Sequence, residues 1–384
     1  MKRNDYINKI NCLFNINPVV ALLGPRQCGK TTMAKQFHQV FDGIVHYFDL
    51  ENPIHLAQLE SPMLALEDLT GLIVIDEIQR RPNLFPPLRV LIDQHKNRRF
   101  LILGSASRDL IQQSSETLAG RISYLECTPF NFSETHDAEK LLIRGGFPRS
   151  YLAENDQLSY EWRGDYITTF LERDIPNLGF RIPPATLRRF WMMLAHYHGQ
   201  IFNASELGGA LGTAHTTIRH YLDILVSTFM VRELHPWFEN IQKRQVKSSK
   251  IYFRDNGIYL TLMNIPSSHD LKNHPKLGAT WEGFAMEQII QYLQMPSEQC
   301  YFWAVHQQAE LDLFIMKNGK RLGFEFKYQD APAKTNSMAI ANEILKLDHL
   351  FVIYPAGKTY LLDKNIQVIS LKDFINLDIM SNLG

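Results

Sequence analysis

The chain has 384 residues, 45% hydrophobic, 11% aromatic and 21% charged, a composition that excludes a disordered chain, a fibrous protein and a disulfide miniprotein. At roughly 150 residues per domain the length predicts two or three domains, each able to bury its own core. Forty basic residues balance forty acidic ones, so the whole chain has no electrostatic pull on nucleic acid or an acidic membrane; such binding has to come from a local patch.

The opening stretch, MKRNDYINKINCLFNINP, is basic but lacks the continuous apolar run of a signal peptide. No run approaches the roughly 18 apolar residues of a membrane span. Cys12, Cys28, Cys127 and Cys300 have no paired spacing, which fits a reducing compartment, and the cytoplasm is the expected location. Val19–Leu23, Val45–Leu50, Leu72–Ile75, Phe100–Leu103 and Ile122–Leu125 then read as short apolar strands separated by amphipathic stretches. That pattern predicts an α/β domain with a buried parallel sheet over residues 1–135.

Directly after the first strand stands GPRQCGKTT, comprising Gly24, Pro25, Arg26, Gln27, Cys28, Gly29, Lys30, Thr31 and Thr32, and a helical pattern follows. This is GxxxxGK[ST] in its strand-to-helix context. The glycines let the backbone curl so that its N–H groups face phosphate oxygens at a helix N-terminus. Lys30 is placed to neutralise β and γ phosphates, and Thr31 to put its hydroxyl on Mg²⁺. The strand Leu72–Ile75 ends in Asp76 and Glu77, which suits a Walker B pair: Asp76 holds Mg²⁺ through water and Glu77 polarises the attacking water. Ser105, after the next strand, either touches the γ-phosphate or the attacking water, or caps a helix. Arg121, just before the fifth strand, is either a surface arginine or an arginine finger for a neighbouring subunit.

From residue 136 to 265 helical periodicity dominates. Between residues 187 and 236 the order is helix, turn, helix, turn, helix and strand, the layout of a winged helix-turn-helix. Its third helix offers Thr216, Arg219 and His220 to a groove, and Lys243, Arg244, Lys247 and Lys250 follow at the expected wing. Between Thr186 and Lys250 there are 8 basic and 4 acidic residues, a local +4 hidden by the neutral total. The same module packs proteins together elsewhere, so the layout alone leaves DNA contact open.

After a polar linker, Pro266 to Pro275, strands return at Tyr301–Val305, Leu311–Met316, Leu322–Tyr328 and Leu350–Tyr354 in a domain expected at 276–384. An amphipathic helix carries Glu282, one strand carries Glu310 and Asp312, and Glu325-Phe326-Lys327 follows a turn at Asn318-Gly319. On a half-buried strand Glu325 and Lys327 share one side while Phe324 and Phe326 enter the core. A divalent cation fits between Asp312 and Glu325 with Glu282 nearby, and Lys327 is placed to orient a water that attacks a phosphodiester. Polar alternation also produces E-x-K freely.

GPRQCGKTT, IDEIQR, GSAS, LAGR, GGFPRS and FLERDI, in this order, resemble the bacterial and archaeal AAA-type ATPases whose C-terminal half is a domain of unknown function. The resemblance covers nearly the whole chain. It implies an AAA-type P-loop NTPase sheet, ATP with Mg²⁺, and Lys30, Thr31, Asp76, Glu77, Ser105 and Arg121 in the roles above. Position 28 departs from the pattern with a cysteine in place of an aliphatic residue, which makes the site open to oxidation. The C-terminal helix, hairpin and E-x-K resemble the PD-(D/E)XK restriction-endonuclease-like α/β fold, with Glu282, Asp312, Glu325 and Lys327 at its active-site positions and Leu311 where a proline is usual. The expected function is an ATPase controlling a DNA-directed C-terminal half, with nuclease activity open and a homo-oligomer as a candidate assembly. The alternative is a nucleotide-operated protein-interaction switch that cleaves nothing. No membrane partner is expected.

Overall fold

A computed structural model describes residues 1–95, 97–105, 114, 116–238, 247–305 and 308–376. They form two compact units, one of residues 1–129 with 227–229, the other of 130–226 with 230 onward. Among the described residues no helix is long and apolar enough to cross a membrane.

The first unit is built on five parallel strands: β1 Val19–Leu23, β2 Val45–Asp49, β3 Gly71–Asp76, β4 Arg98–Gly104 and β5 Ile122–Glu126, in the order β2-β3-β4-β1-β5. β1 is a continuous apolar run and β3 and β4 hold such runs at Leu72–Ile75 and Phe100–Leu103, as suits strands covered on both faces. Helix α1, Asn4–Phe14, precedes β1; α2, Lys30–Val40, follows it; α3, Phe85–Gln94, follows β3. Ile73, Ile75, Leu88, Leu91, Phe100 and Ile102 form the centre of the core.

In the second unit, α4 Pro184–Ala195, β6 Gln200–Ile201, α5 Ala204–Leu211, α6 His215–Ser227, β7 Val231–Pro236 and β8 Lys250–Phe253 follow one another. Asn203 caps α5 by accepting from the Glu206 amide, and Gly212 ends it in a left-handed turn. The C-terminal segment contributes α7 Leu277–Leu293, β9 Cys300–Val305, β10 Ala309–Lys317, β11 Lys320–Phe326, α8 Asn336–Leu345, β12 His349–Tyr354, β13 Tyr360–Asp363 and β14 Ile366–Ser370. All nine strands form one sheet, β13-β14-β12-β11-β10-β9-β7-β8-β6. The junction is β7 lying parallel to β9 over His235–Tyr301 and Pro236–Phe302, with the Trp237 amide donating to Phe302 O at 2.7 Å. The expected division at 265–276 therefore separates sequence segments and not sheets, because each segment covers the other's open strand edge.

A buried ion cluster reinforces that junction. Glu287 on α7, only 2% exposed, accepts from Arg232 on β7 at 2.8 and 2.9 Å, from Arg254 after β8 at 3.2 Å and from Gln291 at 3.2 Å. Burial alone would raise the Glu287 pKa, but the two guanidiniums outweigh it and hold the group at about 2. Its contribution to stability is therefore complete above the ordinary glutamate value of 4.5 and is lost as pH falls toward 2. Glu287→Ala removes the carboxylate that both arginines bond and should destabilise this unit by about 3–5 kcal/mol in urea unfolding. Glu287→Gln should also lack the part of the acid destabilisation that wild type shows in that window.

Candidate functional site

The loop between β1 and α2 is shaped by two left-handed residues, Gln27 at φ 62° and Gly29 at φ 101°. They turn successive amides toward the start of α2, a concavity suited to an anion. A Cβ on Gly24 would stand 2.1 Å from Cys127 O, so only glycine lets the loop leave the strand here. Lys30 is buried, and its ammonium donates to Gly24 O at 3.0 Å and Pro25 O at 2.8 Å. It lies folded across its own loop, where nucleotide phosphates would take over as acceptors. Arg26 donates to Glu51 at 3.3 Å, and Thr32 is exposed.

Thr31 Oγ1 donates to Asp76 Oδ2 at 2.8 Å, and the Tyr47 hydroxyl donates to the same oxygen at 2.7 Å. A hydroxyl and a carboxylate in contact at the foot of α2 are the hard oxygen donors that Mg²⁺ takes, so these residues fit the ion. Glu77 follows Asp76 with φ 59°, a left-handed conformation that costs a side-chain residue on the order of 1–3 kcal/mol. Its carboxylate accepts from Gln79 Nε2, which also donates to Ser105 Oγ at 2.9 Å. Burial raises the Glu77 pKa above its ordinary value, against the pull of Lys30 and Arg26, which brings the group closer to the range of a useful base. Lys30, Thr31, Asp76, Glu77 and Ser105 thus gather at the C-terminal ends of β1, β3 and β4.

Arg121 does not join them. Ile122 is in register with Val19, so Arg121 stands at the opposite end of the sheet, roughly 16 Å away by strand rise. Its guanidinium bonds Asp93 on α3 at 2.7 and 3.1 Å. A phosphate contact by Arg121 is therefore one to a neighbouring chain, and it would have to displace Asp93.

In the second unit the four acidic and basic residues of the C-terminal segment do converge. A bulge in β10 between Leu311 and Phe314 re-aims Asp312, and Asp312 Oδ2 accepts from the Phe326 amide at 3.0 Å. Lys327 Nζ stands 2.9 Å from Glu325 Oε2 and 3.9 Å from Asp312 Oδ2. The expectation of a half-buried strand needs correcting: β11 is covered on both faces, and Glu325 is 4% exposed. Phe324 and Phe326 pack with α7, while Leu350 and Val352 of the neighbouring strand pack with α8. Burial, with Asp312 beside it, pushes the Glu325 pKa well up despite Lys327. Burial and Asp312 likewise raise Glu282 to about 7. Lys250 of β8 adds an unexpected cation: it is buried, pairs with Glu310 and acts electrostatically on Asp312. Among the described residues no three His, Cys, Asp or Glu side chains are already closed around a metal position. Asp312 and Glu325 do supply a pair of adjacent carboxylates, the donor chemistry a divalent cation takes.

On the segment read from sequence as a winged helix-turn-helix, Thr216 and His220 of α6 and Lys247 are exposed. Arg219 is held by Glu233 at 2.7 and 2.6 Å and by Asp223 at 3.4 Å. Lys243 and Arg244 lie outside the described residues. Lys250 and Arg232 point inward to Glu310 and Glu287, so the local +4 overstates the charge offered to a phosphate backbone. Tyr47 and Gln79 escaped the sequence reading, which placed Lys250 on the wing and Cys127 among unpaired cysteines, whereas they stand beside Glu310 and Cys28. Only Gln79 carried a signal, its place in IDEIQR.

A five-stranded parallel sheet with this strand-loop-helix and its acidic partner defines an AAA-type P-loop ATPase domain. Residues 16–136 match the family described as AAA domain, residues 135–269 a domain of unknown function (DUF8612), and residues 277–374 a domain of unknown function (DUF4143). The uncharacterized protein Rv2008c of Mycobacterium tuberculosis and the uncharacterized protein Mb2031c of Mycobacterium bovis are each 45% identical over 369 residues, 95% of this chain and 83% of theirs. The chain belongs to the family of these mycobacterial proteins. Among solved structures, a Walker-type ATPase of Pyrococcus abyssi overlaps 68% of this chain and 95% of its own at 15% identity, TM-score 0.47. The RuvB Holliday junction branch migration motor of Thermotoga maritima overlaps 60% and 89% at 16% identity, TM-score 0.30.

Lys30→Ala removes the cation of the phosphate loop. Calorimetric titration with ATP should show an affinity loss of about 10- to 100-fold, the value of a charge-assisted hydrogen bond, with an unchanged circular dichroism spectrum.

Proposed function

We propose that the chain binds and hydrolyses ATP at the loop of residues 24–32, and that its nucleotide state governs a second unit that engages DNA and cleaves it with a bound divalent metal. The observation that carries the ATPase reading is the joined set Lys30, Thr31, Asp76, Glu77, Gln79 and Ser105 at one end of one sheet. Lys30 would exchange its loop carbonyls for phosphate oxygens. Thr31 and Asp76 would hold Mg²⁺, which supplies charge neutralisation on the phosphates. Glu77 takes the proton of the attacking water, and Gln79, tied to Ser105, fixes the carboxylate's direction. Arg121, partly exposed and remote from its own loop, supports a homo-oligomer in which it serves a neighbour. The four free cysteines support a cytoplasmic location.

For the second unit, the support is the convergence of Glu282, Asp312, Glu325 and Lys327, next to a module exposing Thr216, His220 and Lys247. Asp312 and Glu325 would hold the divalent metal, and Lys327 would orient the attacking water. The alternative, a nucleotide-operated switch that binds protein and cleaves nothing, is favoured by the pairing of Arg219 with Glu233 and Asp223.

Glu77→Gln should still bind ATP while its steady-state turnover falls roughly 10²- to 10⁴-fold, the worth of a general base; wild-type turnover would move the base elsewhere. Branched and linear DNA incubated with wild type and Glu325→Ala, in Mg²⁺ or Mn²⁺ and with or without ATP, decides between the two readings. Cleavage lost in Glu325→Ala supports the nuclease. Absence of both binding and cleavage in every condition removes the DNA part and leaves the protein switch.

A further inference from the structure

Cys28 sits inside the phosphate loop between its two left-handed residues, and its side chain points away from the nucleotide position toward the end of β5. There it meets Cys127. Both thiols are wholly buried, their sulfurs 3.6 Å apart, and Cys28 Sγ also donates to Cys127 O at 3.3 Å. Neither thiol has a part in phosphate binding or hydrolysis as derived above.

The two sides of this contact differ in freedom. Cys127 is tied to β1 by its amide, which donates to Leu23 O at 2.6 Å. The Arg3 guanidinium braces it further, donating to Thr128 O at 2.9 Å and to Cys127 Sγ at 3.6 Å. Cys28 belongs to a loop whose residues on either side, Gln27 and Gly29, are exposed and partly exposed.

We propose that Cys28 and Cys127 are a redox modification site, forming a reversible disulfide under peroxide that pulls the phosphate loop out of shape and switches nucleotide binding off. The switching half rests on the nucleotide reading above. The chemistry balances without a metal. The Cys28 thiolate attacks one oxygen of hydrogen peroxide, which breaks the O–O bond, leaves hydroxide and oxidises the sulfur to a sulfenic acid. Cys127 then attacks that sulfur, the S–S bond forms and the oxygen leaves as water. In sum, two thiols and one peroxide give one disulfide and two waters, and a dithiol reductant reverses it by exchange. Lys30 and Arg3 favour the first step: burial opposes ionisation, but Cys127 and these cations outweigh it and set Cys28 at about 6. Burial and the neighbouring Cys28 keep Cys127 well above the ordinary thiol value, so Cys28 is the attacking group.

The mechanical effect follows from distance. A disulfide spans about 2.05 Å, so closing the 3.6 Å gap moves the sulfurs together by about 1.5 Å. With Cys127 braced, the loop is the side that shifts, and the amides on both sides of Cys28 turn with it.

The test uses the full chain, reduced and then treated with hydrogen peroxide. Intact mass should fall by about 2 Da and peptide mapping should find Cys28 linked to Cys127. Binding of a fluorescent ATP analogue and ATP turnover should both drop, turnover by about 100-fold, the scale of an ångström-sized misplacement. Dithiothreitol should restore both, and ATP bound beforehand should slow the linkage. Cys127→Ser should bind the analogue like reduced wild type and keep binding it after peroxide, with Cys127→Ala serving if the serine protein misfolds. The proposal is overturned if mapping finds no Cys28–Cys127 link, if the linked protein binds the analogue like the reduced one, or if peroxide inactivates the Cys127 variant equally. If reduced wild type binds no analogue at all, the nucleotide reading fails and takes the switch with it, while mapping still scores the disulfide.

Discussion

Glu287 carries a full charge inside the second unit, on a helix between the segment of residues 184–253 and the C-terminal strands. A buried carboxylate is tolerable only if cations and donors reach it, and here the cations come from the other segment, Arg232 on β7 and Arg254 after β8. The helix α7 is thereby held against that segment's strands. With α7 so placed, β9 lies beside β7, and that segment and the C-terminal strands become a single sheet. Such clusters add less to net stability than their contact energies suggest. Their effect is on register, since one arrangement satisfies all the charges at once.

The same coupling makes the carboxylate group a composite. Asp312 is aimed by a bulge in β10, Glu325 is sealed by layers on both faces of β11, and Lys250 comes from the start of β8. The raised pKa values of Glu282 and Glu325 follow from that enclosure. Four carboxyls crowded around two lysines in a low dielectric raise one another's cost of ionisation, and the shift falls on the enclosed Glu282 and Glu325.

The nucleotide site follows a different logic. Its chemistry is local, since Gly24, Gly29, Lys30 and Thr31 lie within eight positions and one strand-to-helix turn orders them. What the sheet adds is the meeting of strand ends. Asp76 and Glu77 from β3, Ser105 from β4 and Tyr47 from β2 arrive beside the loop because parallel strands all point the same way. The same rule carries Arg121 to the far end.

Much of this was legible in order and spacing. The five apolar strands, the phosphate loop, the acid pair after β3, the Asn318-Gly319 hairpin and the helical character of the middle are written in short-range patterns, which the backbone obeys locally. Pairing was not legible. That β7 runs beside β9, that Lys250 and Arg232 turn inward, that Gln79 bridges Glu77 and Ser105, and that Cys28 touches Cys127 across 99 positions all depend on which surfaces meet. A residue's type and neighbours in the chain specify what it can bond, and a periodic pattern specifies which face it occupies. Its partner is chosen by packing of distant segments, where burial removes water as the competing donor and acceptor, so contacts of that kind exist only in the folded chain.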